Sequence, residues 1–186
     1  MKKIDLPGTF TVSIPIDLNQ PPDANGVFEF GGMDADGYEE LELSKGNISS
    51  IIWSAICLES LMENVITNYF FGKFSGLDIK RDLFQRELLQ SSSMQFSFKK
   101  KLLNKICDQR DEISGKKSSK LQGTLKRVMQ WRNAFAHGKL SYNTKEGVIL
   151  SYFSGDHKTE ILNEKFWDSL EQDFELSEQL LKELTV

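Results

Sequence analysis

The amino-acid sequence predicts a mainly helical α+β fold, in which a helical bundle carries a small antiparallel β layer. Two observations lead to this class. From Asn47 onwards, apolar residues recur mostly at three- and four-residue steps, which is the period of amphipathic helices. Before Asn47, apolar residues alternate with polar ones between turn-rich stretches, and near Ser154 two strand-like arms flank a Ser-Gly-Asp turn.

The first 46 residues are predicted to form a β extension packed on the bundle. Every second residue is apolar in residues 9–18, and Pro15 in this strand indicates an edge or a bend. Two further strand-like segments, residues 27–30 and 38–43, follow across turns rich in glycine and aspartate. Together they suggest a small antiparallel layer.

The helical domain is predicted to span residues 47–186, and its first helix carries an unusual acid. This helix is capped by Ser44 or Asn47 and runs up to Gly72. Rotation by about 100° per residue places Glu59 near the middle of the apolar arc. A carboxylate in that position has to be paired, hydrogen-bonded or protonated.

Three more helical segments are predicted before the hairpin, over residues 79–90, 91–109 and 120–137, with a loop at residues 111–119. Gly138 stands where a helix usually stops and is expected to supply a left-handed cap. A β-hairpin insert follows at about residues 147–162, and the last helix starts at about Asn163.

The bulk properties predict a cytoplasmic protein that does not enter a membrane. Polar residues and Pro7 interrupt the apolar stretch that a signal peptide would need, and no apolar run approaches membrane-spanning length. Cys57 and Cys107 are the only cysteines. Each lies in a helix-like segment beside apolar neighbours, which favours two reduced, partly buried thiols over a disulfide.

The charge is distributed unevenly along the chain. Residues 99–139 contain 12 basic and 3 acidic residues, a balance of +9, within a chain whose net charge is −4. A solvated helix face explains such a block in ordinary proteins. The same block also provides the positive potential that a phosphate-binding surface needs.

The sequence RNAFAHG, which begins at Arg132, is the candidate for chemistry. It has a structural explanation, with His137 at a helix C-terminus and Arg132 as the partner of Glu59. In a functional explanation, His137 transfers a proton, Arg132 binds a phosphate and Asn133 adds a neutral donor and acceptor. A separation of five residues turns two helical side chains by about 140°. Arg132 and His137 therefore act together only if the helix unwinds near its end or a second copy completes the site.

The motif resembles that of the HEPN superfamily, in which an arginine, a polar residue and a histidine follow one another at this spacing. Arg132, Asn133 and His137 match the pattern, and the similarity extends from Asn47 to the C-terminus. The resemblance implies a helical bundle that often forms a homodimer in which two motifs face one cleft. It also implies a metal-independent endoribonuclease of the toxin–antitoxin or phage-defence type, without a cofactor.

On this hypothesis Arg132, Asn133 and His137 are catalytic, Glu59 supports the site, and Lys126, Arg127 and Lys139 contact RNA or phosphate. The expected partners are RNA, a second copy and an antitoxin or other partner protein. No metal site is expected, because the cysteines are far apart in sequence and His157 lies in a predicted turn. The alternative is a non-catalytic HEPN-like module that dimerises or binds a nucleotide or RNA, since a fold does not determine a function.

Overall fold

The computed structural model describes residues 35–73, 78–109 and 115–185, and it confirms a mainly helical fold with a small antiparallel β layer. In chain order the elements are α1 (Ala35–Phe71), α2 (Ile79–Leu83), a π-helical segment (Phe84–Leu89), α3 (Phe96–Gln109), α4 (Gly115–His137), β1 (Lys139–Asn143), β2 (Gly147–Ser154), β3 (Asp156–Ile161) and α5 (Glu164–Thr185).

The described residues divide into two compact units. The sheet unit contains the described residues up to Ser49 together with Ala134–Phe166. The helical unit contains the described residues from Ser50 to Asn133 together with those from Trp167 onwards. The predicted division between residues 46 and 47 falls inside α1.

Four helices contribute to the core of the helical unit. Each presents buried aliphatic residues at three- and four-residue spacing, as an amphipathic helix requires. They are Ala55, Leu58, Met62 and Val65 of α1, Leu103 and Cys107 of α3, Leu121, Leu125 and Val128 of α4, and Leu180, Leu181 and Leu184 of α5. A smaller cluster beside this core contains Ile66, Leu89 and Ile106.

The sheet unit contains a three-stranded antiparallel sheet in the order β1-β2-β3. The hairpin predicted at residues 147–162 is present as β2 and β3, and its turn residue Gly155 has a φ of 78°. Strand β1 is an addition to the prediction. Its five residues, Lys139–Asn143, are too few and too polar to show a strand period, and pairing with β2 gives them their conformation.

The strand predicted at residues 38–43 is wrong, because these residues lie in α1. Gly37, Leu41 and Ser44 are buried there, at the four- and three-residue spacing of a helix. The three glutamates of this segment are good helix formers, and Lys45 Nζ lies 2.5 Å from Glu42 Oε1. Ser44 and Asn47 are consequently inside the helix and not at its cap. The strands predicted at residues 9–18 and 27–30 lie outside the described residues.

Gly138 ends α4 as predicted, but for a different physical reason. Positive φ angles occur at Gly72, Gly147 and Gly155 and not at Gly138, so the left-handed cap is wrong. A Cβ atom at Gly138 would lie 2.5 Å from the carbonyl oxygen of Ala134, 2.7 Å from Leu150 Cδ1 and 3.1 Å from the carbonyl oxygen of Ser151. Glycine is required here because the backbone packs closely.

Among the described helices, none contains a stretch long and apolar enough to cross a membrane.

We predict that Gly138→Ala destabilises the protein by about 1–3 kcal/mol, because two of the atoms it would meet belong to backbone that has to shift. Gly123→Ala in the same helix is the matched control, since its nearest neighbour would be Arg127 Nη1 at 3.6 Å. The control should be neutral or stabilising by up to about 1 kcal/mol. Urea unfolding of both variants measures the difference, and equal midpoints would contradict the close approach at Gly138.

Candidate functional site

The three candidate catalytic residues lie in the last turns of α4, and all three are exposed. The helix remains regular up to His137, and the Gly138 amide still donates to the Ala134 carbonyl oxygen over 2.7 Å. The unwinding that would have brought Arg132 and His137 together is therefore absent. Arg132 and Asn133 belong to the helical unit, whereas His137 belongs to the sheet unit.

Helical geometry separates Arg132 from His137 but aligns Asn133 with it. Residues five apart differ by about 140° around the helix axis, and residues four apart differ by only about 40°. The face of α4 that carries Asn133 and His137 also carries Lys126, since these residues follow one another at seven and four positions. One predicted phosphate-binding lysine thus shares a helix face with two predicted catalytic residues.

Arg132 is directed towards its neighbour in sequence. Its Nη1 atom donates a hydrogen bond to Asn133 Oδ1 over 3.1 Å. A guanidinium group has five N–H donors in a planar fork, so one such bond leaves the group with capacity for a phosphate. This bond joins the two polar residues of the motif.

The helical unit places Lys126 near a second positive group. The pKa of Lys100 lies below its ordinary value because the side chain is partly buried, and because Lys126 and Lys101 repel its charge. Lys100 of α3 and Lys126 of α4 therefore contribute to one basic patch. The run Lys99–Lys101 is visible in the sequence. Only the packing of α3 against α4 identifies Lys100 as the lysine of this run that contributes to the basic patch with Lys126.

Arg127 differs from the other basic candidates because an acid occupies its guanidinium fork. Its Nε and Nη2 atoms donate to Asp173 Oδ2 and Oδ1 over 2.6 and 2.5 Å. This pairing raises the pKa of Arg127 above its ordinary value. Phosphate would have to compete with the carboxylate, so the predicted phosphate contact of Arg127 stays a prediction.

Glu59 is paired, as its position on the apolar side of α1 requires, and its partner is Lys99. Lys99 Nζ lies 2.5 Å from Glu59 Oε1 and 2.6 Å from Glu63 Oε1. Gln90, which directly follows the π-helical segment, donates to Glu63 Oε2 over 3.2 Å. We call Glu59, Glu63, Lys99 and Gln90 the buried ion cluster, after its two buried members, Lys99 and Glu63. The predicted partnership of Glu59 with Arg132 has no counterpart among these bonds.

Pairing outweighs burial in the buried ion cluster. The Lys99 side chain is only 4% exposed, and burial on its own would lower its pKa. Hydrogen bonds and charge attraction from Glu59 and Glu63 raise it instead, so the net pKa of Lys99 is above its ordinary value of 10.5. Lys99 and Glu63 were missed from the sequence, because a lysine within a run of three looks like a solvated residue.

Lys139 begins β1 and is exposed. It is paired in register with Ser151 of β2. It follows His137 by two residues within the sheet unit, so the last helical turn and the first strand residue each present a candidate side chain.

Within the described ranges, no three histidine, cysteine, aspartate or glutamate side chains lie close enough together to hold a metal ion. Cys57 is exposed and Cys107 is buried, and the two cysteines are not joined by a disulfide.

Comparisons with protein-family models, curated proteins and solved structures give no match for this chain. The HEPN resemblance thus depends on the motif and on the helices around it, and it stays a prediction.

We predict that Lys99→Met destabilises the protein by about 3–5 kcal/mol, because it leaves the buried Glu63 and the partly buried Glu59 without their cation. Lys101→Met is the matched control, since Lys101 is exposed on the same helix. Its effect should lie within about 0.5 kcal/mol.

The stabilisation by Lys99 should also depend on pH, because its pKa is higher in the folded protein than in the unfolded chain. The stabilisation is complete below the pKa of the unfolded chain and is lost as the pH rises through the pKa of the folded protein. Urea unfolding at neutral and strongly alkaline pH tests both effects, and equal losses in the two variants would rule out the cluster as a stabilising element.

Proposed function

We propose that this chain is a metal-independent endoribonuclease of the HEPN type that acts as a toxin or a phage-defence effector. The observation that supports this function best is the exposure of Arg132, Asn133 and His137 together at the end of one helix. An imidazole, a guanidinium and an amide supply a proton carrier and two kinds of phosphate ligand. The resemblance of the motif to that superfamily suggests which reaction these groups catalyse.

The reaction is an internal transesterification of RNA. The 2′-hydroxyl attacks the adjacent phosphorus, the bond from phosphorus to the 5′-oxygen breaks, and the products carry a 2′,3′-cyclic phosphate and a 5′-hydroxyl. His137 takes the proton from the 2′-hydroxyl or gives one to the leaving 5′-oxygen. Arg132 and Asn133 stabilise the additional negative charge on the five-coordinate phosphorus.

A dimer supplies the geometry that one regular helix lacks. Because Arg132 and His137 point about 140° apart on α4, one copy presents them in different directions. In a two-fold dimer the same surface is used by both copies, so His137 of one copy can complete a site with Arg132 of the other. We therefore assign each active site to residues of both copies.

We predict that the purified protein cleaves single-stranded RNA in the presence of a chelator and that His137→Ala lowers the rate by about 10²- to 10⁴-fold, the usual contribution of proton transfer. The products should carry 2′,3′-cyclic phosphate ends, which are measured by their resistance to ligation and phosphatase. Lys120→Ala, an exposed change on the same helix, is the control and should cleave as the unaltered protein does. Equal RNA survival with the unaltered protein and with His137→Ala would end the ribonuclease proposal.

We further predict that mixing Arg132→Ala with His137→Ala restores cleavage, although each variant is inactive alone. If each site combines residues of both copies, random re-association leaves about a quarter of the sites with both side chains intact. Unfolding and refolding the two variants together, followed by the cleavage assay, measures this recovery. Absence of recovery, with mixed dimers demonstrated by differently tagged copies, would place both side chains of a site in one chain.

A non-catalytic module that dimerises is the second candidate, and an exposed face of α1 favours it. Trp53 is 66% exposed and Ile56 is 45% exposed, one turn apart, and exposed Cys57 adjoins them. Contiguous apolar surface of this kind is used for protein association. In this case the protein would bind RNA or a partner, Arg132→Ala would weaken that binding, and no cleavage would occur at any protein concentration.

A further inference from the structure

One side of the three-stranded sheet carries an exposed aromatic ring that the proposed catalytic reaction does not use. In β2, Val148, Leu150 and Tyr152 are buried, so the alternating residues lie on the opposite side. The strand register places the partners of these alternating residues, in β1 and β3, on that same side of the sheet. We define the outer sheet face by Lys139 and Ser141 of β1, Ile149, Ser151 and Phe153 of β2, and His157, Thr159 and Ile161 of β3.

Phe153 is the centre of the outer sheet face. It is 78% exposed, so packing among the described residues does not account for an aromatic residue at this position. His157 is its partner in register on β3. Directly opposed side chains on neighbouring strands have Cβ atoms about 4.5–5.5 Å apart, so two flat rings lie next to each other at this end of the sheet.

The charge and polarity of the outer sheet face match a nucleotide. Lys139 supplies a cation, whereas Ser151 and Thr159 supply hydroxyl groups in the same cross-strand row as Lys139. No residue that the register places on this side of the three strands is a carboxylate. Asp156 and Glu160 of β3 alternate to the opposite side, paired with Ser154 and Leu150.

The sheet topology brings this surface to the end of α4. β1 begins at Lys139, two residues after His137, and runs antiparallel to β2. The start of β1 therefore lies beside the end of β2, where Phe153 is found, and beside the start of β3, where His157 is found. Within the sheet unit, the two histidines of the chain thus belong to the same end of the sheet.

We propose that the outer sheet face binds an unpaired nucleotide of an RNA strand, with the base stacked on Phe153 and an adjacent phosphate contacting Lys139 and His157. This inference rests on the proposed function, and it names single-stranded RNA as the substrate class. Bases in a duplex are already stacked on each other, whereas unpaired bases are free to stack on an aromatic side chain. Proteins that bind single strands commonly combine such a ring with a basic surface.

The same features disfavour a protein partner on this face. Stable protein interfaces bury about 800 Å² on each side and have an apolar centre. Around Phe153 the outer sheet face is instead formed by Lys139, His157, Ser151 and Thr159, whereas its two isoleucines, Ile149 and Ile161, lie further along the strands, away from Phe153. One exposed ring among hydrogen-bond donors suits a base and its phosphate.

Binding of an uncleavable RNA tests the proposal without catalysis. A fluorescent 2′-O-methyl RNA oligonucleotide has no free 2′-hydroxyl, so the proposed reaction cannot cleave it. Its fluorescence anisotropy with the full chain therefore measures binding without cleavage. Phe153→Ala should weaken binding by about 5- to 150-fold, as alanine substitution does at stacked bases, whereas Phe153→Trp should retain it. Phe98→Ala removes another exposed phenylalanine, on α3, and should have no effect. Annealing the complementary strand should abolish the dependence on Phe153.

Lys139→Gln should reduce the slope of log affinity against log salt by about 0.7, the value for one phosphate contact in a single strand. Unchanged binding by Phe153→Ala, or loss of binding by Phe153→Trp as well, would overturn the proposal. Dissociation of a dimer by Phe153→Ala would overturn it too, because the face would then be a protein interface.

The outcomes separate this inference from the ribonuclease proposal. If natural RNA stays intact but 2′-O-methyl RNA binds in a Phe153-dependent manner, the ribonuclease proposal fails and the binding surface stands. If natural RNA is cleaved and Phe153→Ala changes neither KM nor binding, the binding surface fails and the ribonuclease proposal stands.

Discussion

The close packing of backbone at Gly138 is the constraint on which the arrangement of the candidate residues depends. A Cβ atom there would lie 2.5 Å from the Ala134 carbonyl oxygen and 3.1 Å from the Ser151 carbonyl oxygen. Because no side chain occupies this space, the chain passes from helix to strand within one residue. His137 then ends α4 and Lys139 begins β1. The register of β2 against β1 brings Phe153 to the same end of the sheet, so one turn positions both a catalytic candidate and a binding candidate.

The helical unit depends on a different constraint, the buried ion cluster. Removing the Lys99 ammonium and the Glu63 carboxylate from water is costly, and only close pairing offsets that cost. The raised pKa of Lys99 indicates that pairing prevails. Apolar contacts between α1 and α3 tolerate small displacements along the helix axes, whereas bonds of 2.5 and 2.6 Å to Glu59 and Glu63 do not. We infer that the cluster selects the register in which these two helices pack.

The sequence predicted helices where amphipathic spacing was strong and erred where local composition was ambiguous. The hairpin around Gly155 was predicted because a turn signal separated two strand-like arms. Residues 38–43 were misassigned because Tyr38, Leu41 and Leu43 show no clear period, and glutamates between them suit a helix better than a strand. At the candidate site, the helix face of Glu59 identified it as an acid that needs a partner. Its partner was not, because the choice between Lys99 and Arg132 depends on how α3 packs against α1.

The acidic average of the chain does not oppose RNA binding at the end of α4. At physiological ionic strength, charges are screened over about 8 Å, whereas the eleven helical steps from Lys126 to His137 span about 16 Å along the axis. A phosphate at this surface therefore responds mainly to the nearest cations, and the net charge of −4 chiefly weakens attraction from a distance. Affinity that does not come from long-range attraction has to come from contact. The proposed stacking on Phe153 would be a contact of that kind, and it would discriminate unpaired from paired RNA, which charge alone does not.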